Sequence, residues 1–451
     1  MTGGQRPRLE ELDTFPPFLP KDPMSKTTPH NQTASGGTPS ITRSEIVAWR
    51  NALFLVFTLC GIGLASWVAR VPAVRDALDV SLEQMGILIF GIAAGSIVGL
   101  LVSSHIIARF GSRTTIAWCL VAAGIGLTIA GLGATVGQSF VVIFAGLAFF
   151  GAATGMCDVS MNVSGAANER LLGRAIMPIF HAFFSFGTIV GAGLGALAEH
   201  FAVSIAAHMA FVAVLIIGAS IVAVRNLQSE LLVAEGEEQV AADDHSKTWR
   251  GRLSIWRDPR TILIGLIILG MAFAEGSAND WLALAMVDGH GVSNATGAVL
   301  FGVFVTAMTV GRLLGVGLLD RFGRVPVLRV SAGFAAVGLL IVIFVPNSTI
   351  AIVGIVLWGL GSALGFPVGM SAAADDPRTA AARVSAVATI GYFAFLVGPP
   401  LIGFLAEQVG ILNSLLVVLV LVAASGVVSS AAREPRPGAT GSAHPVTRIP
   451  K

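Results

Sequence analysis

Twelve runs of about twenty mostly apolar residues divide this chain, the length a helix needs to cross a bilayer. They lie at 51–72, 83–107, 114–134, 139–163, 177–198 and 203–224, and then at 261–284, 295–317, 326–345, 350–370, 384–405 and 411–431. Between the sixth and seventh comes a polar stretch from Arg225 to Pro259. A chain organised this way cannot be a water-soluble globule. Only 12% of its residues are charged, against about 25% in soluble domains, too few to cover a wetted surface. The runs predict an all-α membrane protein of twelve transmembrane helices in two six-helix bundles. The expected division is a disordered N-terminus at 1–46, a first bundle at 47–225, a linker at 226–258, a second bundle at 259–432 and a disordered tail at 433–451. The first 46 residues are polar and hold no apolar run of the kind found in a cleaved signal peptide.

The distribution of cations tests the helix count. If both termini are cytoplasmic, every Lys and Arg except Arg70 and Arg75 falls in or near a cytoplasmic gap. That is the bias of the positive-inside rule, and one missed or invented helix would scramble it. The chain is therefore expected to be integral to the cytoplasmic (inner) membrane with both ends inside.

The two halves also repeat one another. Arg109-Phe110-Gly111 after the second run returns as Arg321-Phe322-Gly323 after the eighth, 212 positions later. Leu197-Ala198-Glu199 returns as Leu405-Ala406-Glu407, and Gly151 as Gly359, both 208 positions later. Matches at nearly one offset indicate two parallel copies of a six-helix unit.

With these residues in view the chain resembles the major facilitator superfamily. Asp320-Arg321-Phe322-Gly323-Arg324 is similar to that family's D-R-x-G-R loop, and Arg109, Gly111 and Arg113 form a copy in which Ala108 replaces the acid. The resemblance implies that these loop residues gate the cytoplasmic side, the acid latching neighbouring helix ends. Asp158-Val159-Ser160-Met161-Asn162, Gly365-Phe366-Pro367 and Gly398-Pro399-Pro400 resemble the fucose-permease-like branch. The first run departs from that branch, since it has no acidic residue before Asp76. What the resemblance implies is the major facilitator fold and transport by two halves rocking about a central site.

Polar groups inside the apolar runs are costly and mark candidate sites. Asp158 has Asn162 one turn away on the same helix face. The resemblance places Asp158 where fucose permeases carry a protonated Glu, and a carboxyl that takes up a proton can move without charge. His181 enters the fifth run at a similar depth and is a candidate proton partner, the alternative being an interfacial His bonded to backbone. Glu275 sits deep in the seventh run beside Gly276, with Asn279 one turn on and Trp281 beyond. Glu275 is read as a third proton-coupling group. Asn279 and Trp281 are read as solute contacts, against a helix-cap and interfacial-belt alternative. Tyr392 offers the chain's sole phenol. Arg70 is the cation out of place. It is expected either to pair with Glu275 or Asp280 as a gate or to bind an anionic group of the solute, the alternative being snorkelling to headgroups. Asp375 and Asp376 read as a solvated loop. Cys60, Cys119 and Cys157 lie in apolar stretches without metal or pairing spacing and read as packing residues.

No Walker loop, zinc spacing, flavin fingerprint or nucleophile elbow is present. The sequence therefore predicts no enzyme, cofactor or metal, and no nucleic-acid partner. It predicts a monomeric carrier in the lipid bilayer for a small polar, sugar-like solute, coupled to protons. A proton antiporter exporting drugs or metabolites and a non-transporting receptor or scaffold are the alternatives.

Overall fold

The computed structural model describes residues 41–173, 176–228, 255–376 and 379–434. The chain forms two units, Met1–Thr42 and Arg43–Lys451, and of the first only residues 41–42 are described. The larger unit is helical. Its elements are α1 (Arg43–Val68), α2 (Val71–Leu78), α3 (Leu82–Leu132), α4 (Phe140–Leu172), α5 (Met177–His200) and α6 (Ile205–Asn226). After the linker come α7 (Pro259–His290), α8 (Asn294–Phe322), α9 (Arg324–Phe344), α10 (Ser348–Ser362), α11 (Gly365–Ala373), α12 (Ala380–Val409), α13 (Ile411–Ser414) and α14 (Leu416–Val428). The segments expected to be disordered fall largely outside the described residues. However, α1 begins at Arg43, inside the first of them, with Glu45 in its first turn where a negative charge favours the helix dipole.

Eleven stretches among the described residues are long and apolar enough to cross a membrane. One of them contains two crossings. The 51 residues of α3 reach about 77 Å at the usual rise, more than twice the ~30 Å hydrocarbon core. Gly111 breaks it with φ 75° and ψ 160°, a conformation open to Gly because it has no Cβ. The twelve expected crossings are therefore present, and the second and third meet at the Arg-Phe-Gly turn.

The repeat is visible in backbone and side chains. Gly323 ends α8 at φ 73° and ψ 172°, nearly the angles of Gly111. The Arg109 guanidinium lies over the Phe110 ring, and Arg321 lies over Phe322. Ser81 caps α3 and Ser293 caps α8, each accepting from the backbone N–H three residues on. A Cβ on Gly151 would stand 2.1 Å from the Ile92 carbonyl, and one on Gly359 would stand 2.6 Å from that of Phe304. Ile92 and Phe304 are again 212 positions apart, so the same helix pair touches backbone to backbone in each half.

The crossings alternate, so Gly111, Gly323, the start of α7 and the end of α14 share one face, here called the basic face. On it Asp375 is nearly buried and accepts from Arg260 at 2.8 Å and Arg324 at 2.7 Å. Asp258 pairs with Arg383 at 2.9 Å. This corrects the reading of Asp375 as a solvated loop residue: it ties the helix ends of the second half together.

Candidate functional site

The halves meet chiefly where α3 packs on α12 and α5 on α8, and a cavity of about 280 Å³ lies between α1, α3 and α4 of the first and α7 and α12 of the second. Its walls are apolar: Leu64, Val68 and Val71 from the first crossing, Ile89, Ile92, Ile97 and Leu100 from α3, and Phe395, Leu396 and Pro399 from α12. Trp67 and Gly276 also line it. Besides the Trp67 indole, five residues bring polar side chains to it, namely Ser96, Thr154, Asn279, Asp280 and Tyr392. Ser96 donates to the Gly151 carbonyl at 3.1 Å and Thr154 to the Phe150 carbonyl at 2.9 Å, which spends both hydroxyl protons on backbone. Asp280 forms no hydrogen bond or ion pair among the described residues, and no cation lines the cavity with it. An unpaired carboxylate in a low-dielectric setting is expensive. It is therefore the most conspicuous group in the molecule.

The face opposite the basic loops is closed. Arg75 on α2 pairs with Asp288 at the end of α7. Asn294 donates to Asp76 at 3.1 Å, and the Leu82 N–H at the start of α3 donates to Glu407 at 3.1 Å. Gly86 lets α3 approach α12 so closely that a Cβ there would stand 2.6 Å from the Pro399 carbonyl. Towards the basic face the groups along the interface are exposed, including Asp158, His181 and, at 44%, Tyr392. The cavity is thus accessible from the basic face and sealed from the other. Gly86→Leu is expected to penalise this closed arrangement by about 1–3 kcal/mol, the usual cost of overpacking. The yield of a disulfide between Arg75→Cys and Asp288→Cys should then fall about fivefold or more, and an unchanged yield would contradict the contact.

The site residues expected from sequence are only partly gathered here. Asn279 and Tyr392 line the cavity. Asp158 and Asn162 sit one and two turns further along α4, where the Asn162 amide donates to the Asp158 carboxylate at 3.2 Å and to its backbone carbonyl at 2.8 Å. His181 does not bond to Asp158. Its ring meets Phe57 edge-on at 5.4 Å between centroids.

Three expectations need correction. Arg70 does not reach Glu275 or Asp280: it pairs with Glu199 at 2.9 Å and donates to the Val203 carbonyl at 2.8 Å. The cause is the break between α1 and α2, which turns Arg70 towards the α5–α6 corner. It is buried there at 3% exposure, so it is neither a free solute ligand nor a snorkelling cation. Trp281 is wholly buried, with its ring against Gly403 on α12, and does not line the cavity. Glu275 faces α8, where Arg312 donates to it at 2.9 Å. The cation distribution places Arg312 in or near a cytoplasmic gap. It stands ten residues before the end of α8, and its position inside the eighth apolar run was the signal that could have found it. Of the residues expected to gate, Arg109, Arg113, Asp320 and Arg321 are exposed on the basic face, while Arg324 is bound to Asp375.

The comparisons with known proteins agree with this architecture. The Major Facilitator Superfamily profile matches residues 52–393 and 276–449. An uncharacterised MFS-type transporter of Yersinia pestis is 31% identical over 355 residues, 78% of this chain and 88% of the relative. The membrane protein MosC of Rhizobium meliloti is 26% identical over 395 residues, covering 86% of this chain and 91% of its own. Among solved structures, the nucleoside transporter NupG superposes with a TM-score of 0.64 at 15% identity, over 86% of this chain and 98% of its own. FucP in its outward conformation superposes with a TM-score of 0.57 at 16% identity, over 87% and 100%. The chain is an integral membrane protein that belongs to the Major Facilitator Superfamily of transporters.

Proposed function

We propose that the protein is a secondary active carrier that moves a small polar solute across the cytoplasmic membrane by alternating access, coupled to protons. The basic face is then cytoplasmic, with both termini on that side, and the cavity is open to the cytoplasm. The carrier works as a monomer, its partners being the solute, protons and the surrounding lipid. The observation that carries the reading is Asp280, a carboxyl without a partner among the described residues, in a cavity between two halves that polar contacts join at the face opposite the basic loops. A proton on Asp280 neutralises the group and makes its passage through a dry intermediate cheaper. Asp158, exposed towards the basic face, lies on the path such a proton takes. Asn279, Asp280 and Tyr392 supply hydrogen bonds to a solute, which also speaks against a receptor that has lost its transport groups.

Thr154→Cys tests this arrangement, because Thr154 lines the cavity and native Cys60, Cys119 and Cys157 are buried. In oriented vesicles a membrane-impermeant maleimide should label Thr154→Cys from the basic face in the absence of solute. Turnover should expose it to the other side, and proteoliposomes should show solute-dependent movement of protons. Labelling that never changes sides, with no proton movement for any solute in a broad panel, would sink the proposal.

A further inference from the structure

We infer that the solute is a small organic cation with an apolar body, its ammonium group held by the Asp280 carboxylate and its body by the aromatic wall of Trp67, Tyr392 and Phe395; this rests on the cavity being the transport site. The hydrogen-bond inventory leads to this class. Ser96 and Thr154 have given their protons to backbone carbonyls and face the cavity as acceptors. Asp280 is an acceptor when ionised, and Asn279 adds an acceptor beside its amide donor. Against these stand few donors, the Asn279 amide, the Tyr392 hydroxyl and the indole N–H of Trp67. An acceptor-rich cavity suits a ligand that brings several N–H donors.

Charge points the same way. Arg70 and Arg312, which stand inside apolar runs, are committed elsewhere, Arg70 to Glu199 and Arg312 to Glu275. No Lys or Arg lines the cavity among the described residues, so an anionic ligand would meet an unpaired carboxylate and nothing to balance it. A cation would supply the missing partner. Aromatic rings attract a cation and also bury an apolar body. A sugar needs partners for a full ring of hydroxyls, and the largely apolar walls of α3 and α12 offer few.

The test uses three probes with one aromatic body and different heads: 2-phenylethylammonium, 2-phenylethanol and phenylacetate, titrated calorimetrically into the purified full-length protein. The ammonium should bind at least tenfold more tightly than the alcohol, and phenylacetate should not bind. Asp280→Asn should abolish that preference and Asp280→Glu should keep it, with thermal unfolding of each variant confirming that it is folded. Equal binding of the alcohol, tighter binding of phenylacetate, an unchanged preference in Asp280→Asn, or no binding of any probe overturns the inference. The two proposals fail differently. Asp280-dependent binding of the ammonium without its flux in proteoliposomes removes the transport reading and leaves the cation site. Thr154→Cys changing sides with a neutral or anionic solute leaves transport and removes the cation.

Discussion

Arg312→Ala should destabilise the second half by about 3 kcal/mol, towards the low end of the range for breaking a buried ion pair. Its side chain is 33% exposed and that of Glu275 is 16%, so water screens the pair only partly. Removing the guanidinium leaves Glu275 charged inside α7 with its 2.9 Å partner gone. The cost is mostly that of the stranded carboxylate rather than the value of the pair. A double variant, Arg312→Leu with Glu275→Leu, removes both charges and should lie close to the native protein. Thermal unfolding in detergent distinguishes the cases: a large fall in Tm for the single variant, with most of it restored in the double. Additive losses would mean that the two residues act separately, and the pairing across α7 and α8 would then carry no structural weight.

Which parts of this arrangement the sequence announces follows from what kind of signal each part needs. Helices were announced by composition, because a backbone in lipid must satisfy its own hydrogen bonds, and twenty apolar residues leave few alternatives. Gly111 and Gly323 were announced by their repeated neighbours. The repeat even marked Glu199 and Glu407, yet their different uses depend on tertiary contact: Glu199 holds Arg70 within its own half, and Glu407 reaches Leu82 in the other. The partner of Arg70 is not legible in the sequence because a two-residue break between α1 and α2 redirects its side chain, and hydropathy does not register such a break. Within α7 the error was angular. Successive residues turn by about 100°, so Asn279 and Asp280 face the cavity while Trp281, the next residue, packs on Gly403. Counting turns from Glu275 selects Asn279, which lines the cavity, but treats Asp280 only as a possible partner of Arg70; that it has no partner among the described residues becomes apparent only when every neighbouring helix is in place.

Asp280→Asn should make the protein more stable and nearly inactive. Amide for carboxylate removes a charge that no described residue compensates, in a position where insertion of a charge costs roughly 2.5–3.5 kcal/mol. The folded protein should therefore gain up to about that much, reduced by whatever water the cavity admits. The same change deletes the group proposed to carry the proton and to meet the solute. Losing one partner of a buried charged contact costs about 2–5 kcal/mol of binding, roughly 30-fold to several thousandfold, and a neutral amide has no proton to deliver at all. Opposite signs are the test. A functional group strained by its environment yields higher Tm and lost transport on neutralisation, whereas a carboxyl that merely supports the fold yields a fall in both. Asp158→Asn provides the comparison, since Asp158 is exposed and already hydrogen-bonded to Asn162. Its neutralisation should leave Tm within about 0.5 kcal/mol-equivalent of native and slow proton delivery without abolishing it. Equal losses of transport from the two variants, or a lower Tm for Asp280→Asn, would remove Asp280 from the centre of the mechanism.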